Sequence, residues 1–400
     1  MSGPLRQYFS NSSLRMVFWL TIAFGAVAAP IATYQSLLGI RDLGMGDGSY
    51  ALVLFGGLSV GTVASVWLGI VTDQKPVRKL VALSCIASVF IGTSIIWVFP
   101  SKLTFAIGHG LLIPMSLPLF GQIFALARLA ASDLSHKDRD AVVANTRAFF
   151  AIPFIFVLPG WGFIIGQGAD LLTIYISASA LLAAMFVLVF KGWPSDLSTP
   201  WFEEKSGLSA WKSLVEIADP AVLGRVALIA GTQLGAAVSG IVLGLIFEQA
   251  HGRGADDVGQ FFGAFVAIEF CVMMAVGYAV RYMRRLYIIT AGVMLYALYL
   301  ILLPLLASSG WVWTLIVPAG AGGAMIYALS IGYLQDLLGK RAGAGSSLIA
   351  VQRAFSEAGA ATLFALGTWI SGYALVAFMA AGVSLVAIAS IILLDRNRPR

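Results

Sequence analysis

An all-α membrane protein, with twelve transmembrane helices in two pseudo-symmetric six-helix bundles, is the fold class this sequence predicts, on three observations. Of its 400 residues, 59% are apolar and only 11% charged, with a mean hydropathy of +0.90, more apolar surface than so few charges could cover in water. The apolar residues fall into runs of about 20, the length that crosses the hydrocarbon core as a helix. The basic residues collect on one side of those runs.

The spans read 16–38, 50–71, 80–99, 104–127, 142–166, 170–190, 222–247, 258–280, 286–307, 311–335, 345–369 and 371–394. Of the 25 Lys/Arg, three (Arg41, Lys102, Arg253) fall in the odd-numbered loops. Three more (Arg147, Arg225, Arg353) lie inside or at the edge of spans, and the remaining nineteen lie on the opposite side, with both termini. That asymmetry predicts cytoplasmic termini. It also accounts for the net charge of +6, so no nucleic-acid partner is expected. Cys85 and Cys271, the two cysteines, sit in apolar runs without disulfide or zinc spacing.

The first span carries a decoy. Arg6 and Arg15 precede an apolar run containing Ala26-Val27-Ala28, which has the look of a signal-peptide cleavage site. The run continues through Pro30 to Leu38, a full span, so a first transmembrane helix is expected. In the second span Gly57, Gly61, Ser65 and Gly69 recur every four residues, a small ridge that lets a neighbouring helix approach. The same string contains Gly57-Leu58-Ser59-Val60-Gly61, the pattern of a serine-hydrolase elbow. That elbow needs a strand-to-helix turn and partner residues; a serine in mid-helix has neither, and no enzyme activity is expected.

The most polar long stretch, 191–221, separates the two sets of six. Trp193-Pro194, Trp201-Phe202 and charges at 203–205 precede a short helical pattern at Leu208, Trp211, Leu214 and Val215. Aromatics interleaved with charges read as a segment on the cytoplasmic membrane face. The expected domains are therefore 1–190, an interfacial linker 191–221, and 222–400. The halves share a repeat: Gly69 is followed by Asp73 and the pair Arg78-Lys79, and Gly277 by Arg281 and the pair Arg284-Arg285, at corresponding loops. Internal duplication marks secondary transporters, with solute bound where the halves meet.

Ionisable groups inside spans cost about 2.5–3.5 kcal/mol each on insertion scales and usually line a polar path. Glu269, among Ala267, Ile268, Phe270 and Cys271, is placed to take up and release a proton as access alternates, or to bond a solute hydroxyl; its plainer role is a pair with a basic neighbour. Arg353 and Glu357 are four apart on one helix face, flanked by Gln352 and Ser356, a polar stripe expected to face a cavity; either solute binding by Arg353 or a static salt bridge fits. Arg147 lies within two turns of the fifth span's start and can either line the cavity or snorkel. Tyr34, Gln35 and Gln122 are either hydrogen-bonding residues of the cavity or, more simply, packed or cross-helix bonded side chains, and His109 reads the same way. Asp73 at a cytoplasmic helix end can meet a helix dipole or basic loops, or simply set topology.

The Gly69–Lys79 loop resembles the major facilitator loop signature. Further strings resemble the bacterial sugar efflux transporters of that superfamily: Gln122–Arg128 closing the fourth span with Arg147 opening the fifth, Ala267-Ile268-Glu269-Phe270 followed by Met273–Tyr278, Tyr333–Leu337 closing the tenth, and Arg353 in the eleventh. The resemblance runs over nearly the whole chain. It implies a monomer in a bacterial inner membrane that exports sugars or small glycosides against inward proton movement, with Asp73, Arg78 and Lys79 as a gate latch. Exporters of drugs or organic acids, and a non-transporting sensor, share the same fold. No Gly-x4-Gly-Lys-Ser/Thr phosphate loop occurs and 191–221 is too short for a nucleotide domain, so an ion gradient rather than a nucleotide cofactor is the expected energy source. Small solute, protons and lipid bilayer are the expected partners.

Overall fold

The computed structural model describes residues 8–9, 11–195, 220–280, 282–338 and 342–395. Most of the 191–221 linker, its short helical pattern included, and Arg281 of the repeated loop lie outside the described residues, as do the side chains of Asp73 and of the Gly/Ala/Ser stretch that opens the eleventh span.

Twelve long helices follow one another: α1 Ser12–Ser36, α2 Asp47–Gln74, α3 Arg78–Val98, α4 Lys102–Ala130, α5 His136–Gly166, α6 Leu172–Gly192, α7 Pro220–Gln249, α8 Ala255–Ala279, α9 Arg285–Leu306, α10 Ile316–Leu338, α11 Ala342–Ile370 and α12 Tyr373–Asp395. Among the described residues, eleven are long and apolar enough to cross a membrane. In the twelfth, α11, Gln352, Arg353, Ser356 and Glu357 interrupt the apolar sequence.

Local chemistry sets the ends. The Asn11 side chain accepts from the Ser13 and Leu14 amides, Ser101 and Thr104 cap α4 reciprocally, and Ser135 accepts from the Asp138 amide at the start of α5; each satisfies amides that the first helical turn leaves open. Two helices are irregular. α1 ends in a π-helical turn, Leu37–Asp42. α4 is interrupted by a π turn at Gly108–Leu112 and a 3₁₀ turn at Ile113–Met115, where Pro114 lacks the amide an α-helix would use. The small ridge of α2 receives this irregular stretch: a Cβ on Gly57 would lie 2.6 Å from the His109 carbonyl oxygen, and one on Gly61 3.2 Å from that of Pro114. Gly69, at the other end of the ridge, faces open space.

Helices α1–α6 pack as one bundle and α7–α12 as another. Among the described residues, the bundles meet most extensively at α5 with α8, α2 with α11, and α1 with both α7 and α8. Under the six-helix repeat α2 corresponds to α8 and α5 to α11, so the first two seams exchange under the pseudo-two-fold. The cross-half polar contacts between described side chains both lie on the face of the odd-numbered loops, here the loop face. Arg41 pairs with Glu248 at 2.9 Å while also holding Asp42, and the Tyr373 hydroxyl donates to Asp47 at 3.0 Å. Tyr50 meets Phe364 edge-on at 5.6 Å, and Phe364 stacks on Tyr373. The loop face is therefore closed.

At the α5–α8 seam on the same face, backbones touch. A Cβ on Gly162 would lie 2.5 Å from the Asp256 carbonyl oxygen. One on Gly259 would overlap the Tyr34 hydroxyl and the Leu158 carbonyl and approach the Gly162 nitrogen to 2.9 Å. Only glycine allows that approach.

Candidate functional site

A cavity of about 260 Å³ is walled by α1, α3, α4 and α5 of the N-terminal half and touched from the other half by Arg353 of α11. Its N-terminal wall is largely apolar. Phe24 of α1, Phe120 of α4 and Phe150 of α5 form a ring cluster with centroids 4.9–6.0 Å apart. The polar lining comes from Gln35, His109, Ser116 and, across from α11, Arg353.

Arg353 Nε donates to Glu357 Oε1 at 2.6 Å, with the arginine side chain 56% exposed. The polar stripe of α11 is divided. Arg353 and Glu357 lie open, whereas Gln352 and Ser356 are buried, and Gln352 donates to Gln233 of α7 at 2.7 Å. Tyr327 of α10 lies within electrostatic reach of Glu269, Arg353 and Glu357, which ties the two acidic positions of the C-terminal half into one neighbourhood. Glu269 itself makes no hydrogen bond or ion pair among the described residues. Its carboxyl comes close to Gly323 of α10, where a Cβ would lie 3.5 Å from it, and it acts electrostatically on Tyr296 of α9.

The other predicted residues divide into three groups. Gln35 lines the cavity, its amide bonded to the Ala32 carbonyl at 3.4 Å. Arg147 is exposed one helical turn from Phe150 on the same side of α5 and has no ion partner among the described residues. Tyr34 and Gln122 are not on the cavity. Tyr34 is fully buried in the seam against Gly259, because α8 carries no side chain there to keep it out. Gln122 is buried and accepts from Arg78 at 3.2 Å while donating toward Thr72 at 3.4 Å; the guanidinium reaching into the bundle draws it away from the cavity. Arg78 thus links the α2–α3 loop to α4, and Lys79 bonds the Trp193 carbonyl at 3.0 Å.

His109 is packed and cross-helix bonded, as its sequence suggests, but its partner and its place at the cavity could not be read there. Its Nε2 meets the Tyr175 hydroxyl of α6 at 2.7 Å, its ring stacks on Phe105 at 4.3 Å, and it borders the cavity. Tyr175 is 66 residues away, so no local pattern announces the pair. The aromatic wall did leave a signal, since Phe120/Phe124 and Phe150/Phe154 repeat at i, i+4.

The Arg353–Glu357 pair gives a measurable expectation. A half-exposed pair of this spacing contributes about 0.3–1 kcal/mol to stability. Glu357→Gln should therefore move the melting temperature by only a few degrees, about what ~1 kcal/mol does in a large domain, while lowering solute affinity about tenfold by freeing Arg353 from its orientation. Unchanged affinity with a large fall in melting temperature would make the pair a structural brace.

Two six-helix halves, joined at one face, with a cavity that Arg353 borders, are the architecture of a membrane transporter fold. The family profile of the Major Facilitator Superfamily matches residues 120–356, from within α4 through most of the α11 stripe. The chain belongs to the Major Facilitator Superfamily. No curated protein sequence matches it. Among solved structures it is similar to the nucleoside transporter NupG, with a TM-score of 0.77 at 13% identity, covering 97% of this chain and 100% of that one. It is also similar to a POT family transporter in complex with 5-aminolevulinic acid, with a TM-score of 0.75 at 11% identity, covering 98% and 97%. Likeness at such identity concerns the fold.

Proposed function

We propose that the protein is a proton-coupled secondary transporter that exports sugars or small glycosides across a bacterial inner membrane, as a monomer with both termini cytoplasmic. The observation that carries this reading is Glu269, a carboxyl with no partner among the described residues, within electrostatic reach of the same Tyr327 as Arg353 and Glu357, of which Arg353 borders the cavity. A carboxyl without a fixed counter-ion can exchange its proton when the halves rock, whereas the ion pair supplies both donors and acceptors for hydroxylated solutes. A glycoside with a planar aglycone also suits the Phe24/Phe120/Phe150 wall, in keeping with the nucleoside named for one structural neighbour. Asp73, Arg78 and Lys79 would act as the latch of the terminal face, with Gln122 as an added anchor.

Flux in sealed proteoliposomes tests the reading, with lactose, uridine and citrate as probes, each with and without an imposed pH gradient. Gradient-driven accumulation of lactose or uridine is the expected result. Accumulation of citrate alone would shift the reading to an organic-acid exporter, with Arg147 as the added cation. Binding of a probe without any flux would indicate a sensor.

A further inference from the structure

We propose that His109 contacts the transported solute through its Nδ1 nitrogen, with Tyr175 as the positioning residue that aims the ring; this rests on the transport reading above. His109 lies in the π turn of α4, where the irregular backbone moves its side chain off the regular helical register. Three contacts fix the imidazole. Nε2 is bonded to the Tyr175 hydroxyl at 2.7 Å, one face is stacked on Phe105 at 4.3 Å, and the Tyr175 ring meets it edge-on at 5.8 Å. The other nitrogen is spare. Nδ1 makes no hydrogen bond among the described residues, and it is not one of the polar atoms sealed from solvent without a partner. Because His109 borders the cavity, the spare Nδ1 is the polar atom of the ring left for a solute.

The bond to Tyr175 ties the role of Nδ1 to that of Nε2. A neutral imidazole has one donor and one acceptor nitrogen, and the partner of one decides the role of the other. A Tyr175 hydroxyl that donates to Nε2 leaves the proton on Nδ1 to donate to a hydroxyl, ether or carbonyl oxygen of the solute, whereas one that accepts from Nε2–H leaves Nδ1 to accept from a solute hydroxyl. Arg353 stands on the opposite half of the same cavity. A solute held by both bridges the two bundles, and only when they are closed around it.

Side-chain amides separate this role from a merely structural one, because the Asn amide overlies Nδ1 and the Gln amide overlies Nε2. His109→Asn should keep flux of the transported probe within about threefold of wild type. His109→Gln, which retains the bond toward Tyr175, should raise the half-saturating concentration about tenfold, the effect of losing one hydrogen bond to solute. Tyr175→Phe, which like His109→Asn removes the bond between positions 109 and 175, should raise it by no more than about threefold, and should lower the melting temperature because a buried Nε2 loses its partner. The reverse order, with Gln active and Asn not, overturns the proposal, as does equal behaviour of the two variants. A second arm needs no flux. In a Cys85→Ser/Cys271→Ser background, His109→Cys should react with a small thiosulfonate reagent as readily as Gln35→Cys. If Gln35→Cys reacts and His109→Cys does not, position 109 does not face the cavity and the assignment falls, whatever the protein transports.

Discussion

Gly259→Trp should hold the loop face open and stop net transport. Any Cβ at that position overlaps the Tyr34 hydroxyl and the Leu158 carbonyl, and Leu158 is backbone of the opposing half, which no rotamer change can move. Even Gly259→Ala introduces an overpacking cost of about 1–3 kcal/mol, charged only to the conformation in which α5 and α8 touch. A cost confined to one of two states shifts their ratio by about 5- to 150-fold, and an indole enlarges it. The readout is Ser36→Cys in the cysteine-free background, since Ser36 is buried near the end of α1. In wild type it should resist a membrane-impermeant thiol reagent; with Gly259→Trp it should be labelled from the loop face. Labelling as slow as wild type, in a folded variant, would mean that the seam is not the gate.

Glu269→Gln should uncouple solute from protons while leaving the pathway intact. The amide keeps the size and hydrogen-bonding capacity of a protonated carboxyl but cannot release a proton. No salt bridge is lost, because Glu269 has none among the described residues, so the melting temperature should hold or rise as the cost of a charge inside the membrane is removed. An imposed pH gradient should then drive no accumulation above protein-free vesicles, while exchange of labelled for unlabelled solute continues within a fewfold of wild type. Gradient-driven uptake at the wild-type level would remove Glu269 from the coupling role. Loss of exchange as well would make it a solute ligand.

The twelve helices were legible because span length and charge sidedness are properties of the chain itself. The reading 286–307 and the helix Arg285–Leu306, or 371–394 and Tyr373–Asp395, differ by a residue or two. The same logic exposed Glu269, Arg353 and Glu357, since a charge in an apolar run stands out wherever it faces. The direction a neutral polar side chain takes was not legible. Gln122 and Gln35 are the same residue type in similar runs, yet Arg78 claims one and the cavity keeps the other. Tyr34 stood between cavity lining and packing because nothing near it in sequence shows that Gly259, over two hundred residues on, leaves room for it. The partner of His109 was hidden twice, by lying on another helix and by a π turn that breaks the periodicity on which a face assignment depends.

The two exchanging seams are built from unlike materials. α5 and α8 meet glycine to backbone at Gly162 and Gly259, a bearing whose surfaces can part without any side chain changing rotamer. α2 meets α11 through Tyr50 on Phe364, and Tyr373 at the start of α12 stacks on Phe364 and bonds Asp47 of α2, a clasp whose rings must slide and repack. A hinge with a smooth bearing on one side and a clasp on the other does not open symmetrically: resistance to opening is concentrated at the aromatic side. Speed of turnover and tightness of closure are thus set by different residues. Altering the clasp should tune the rate, whereas altering the bearing removes the closed state itself.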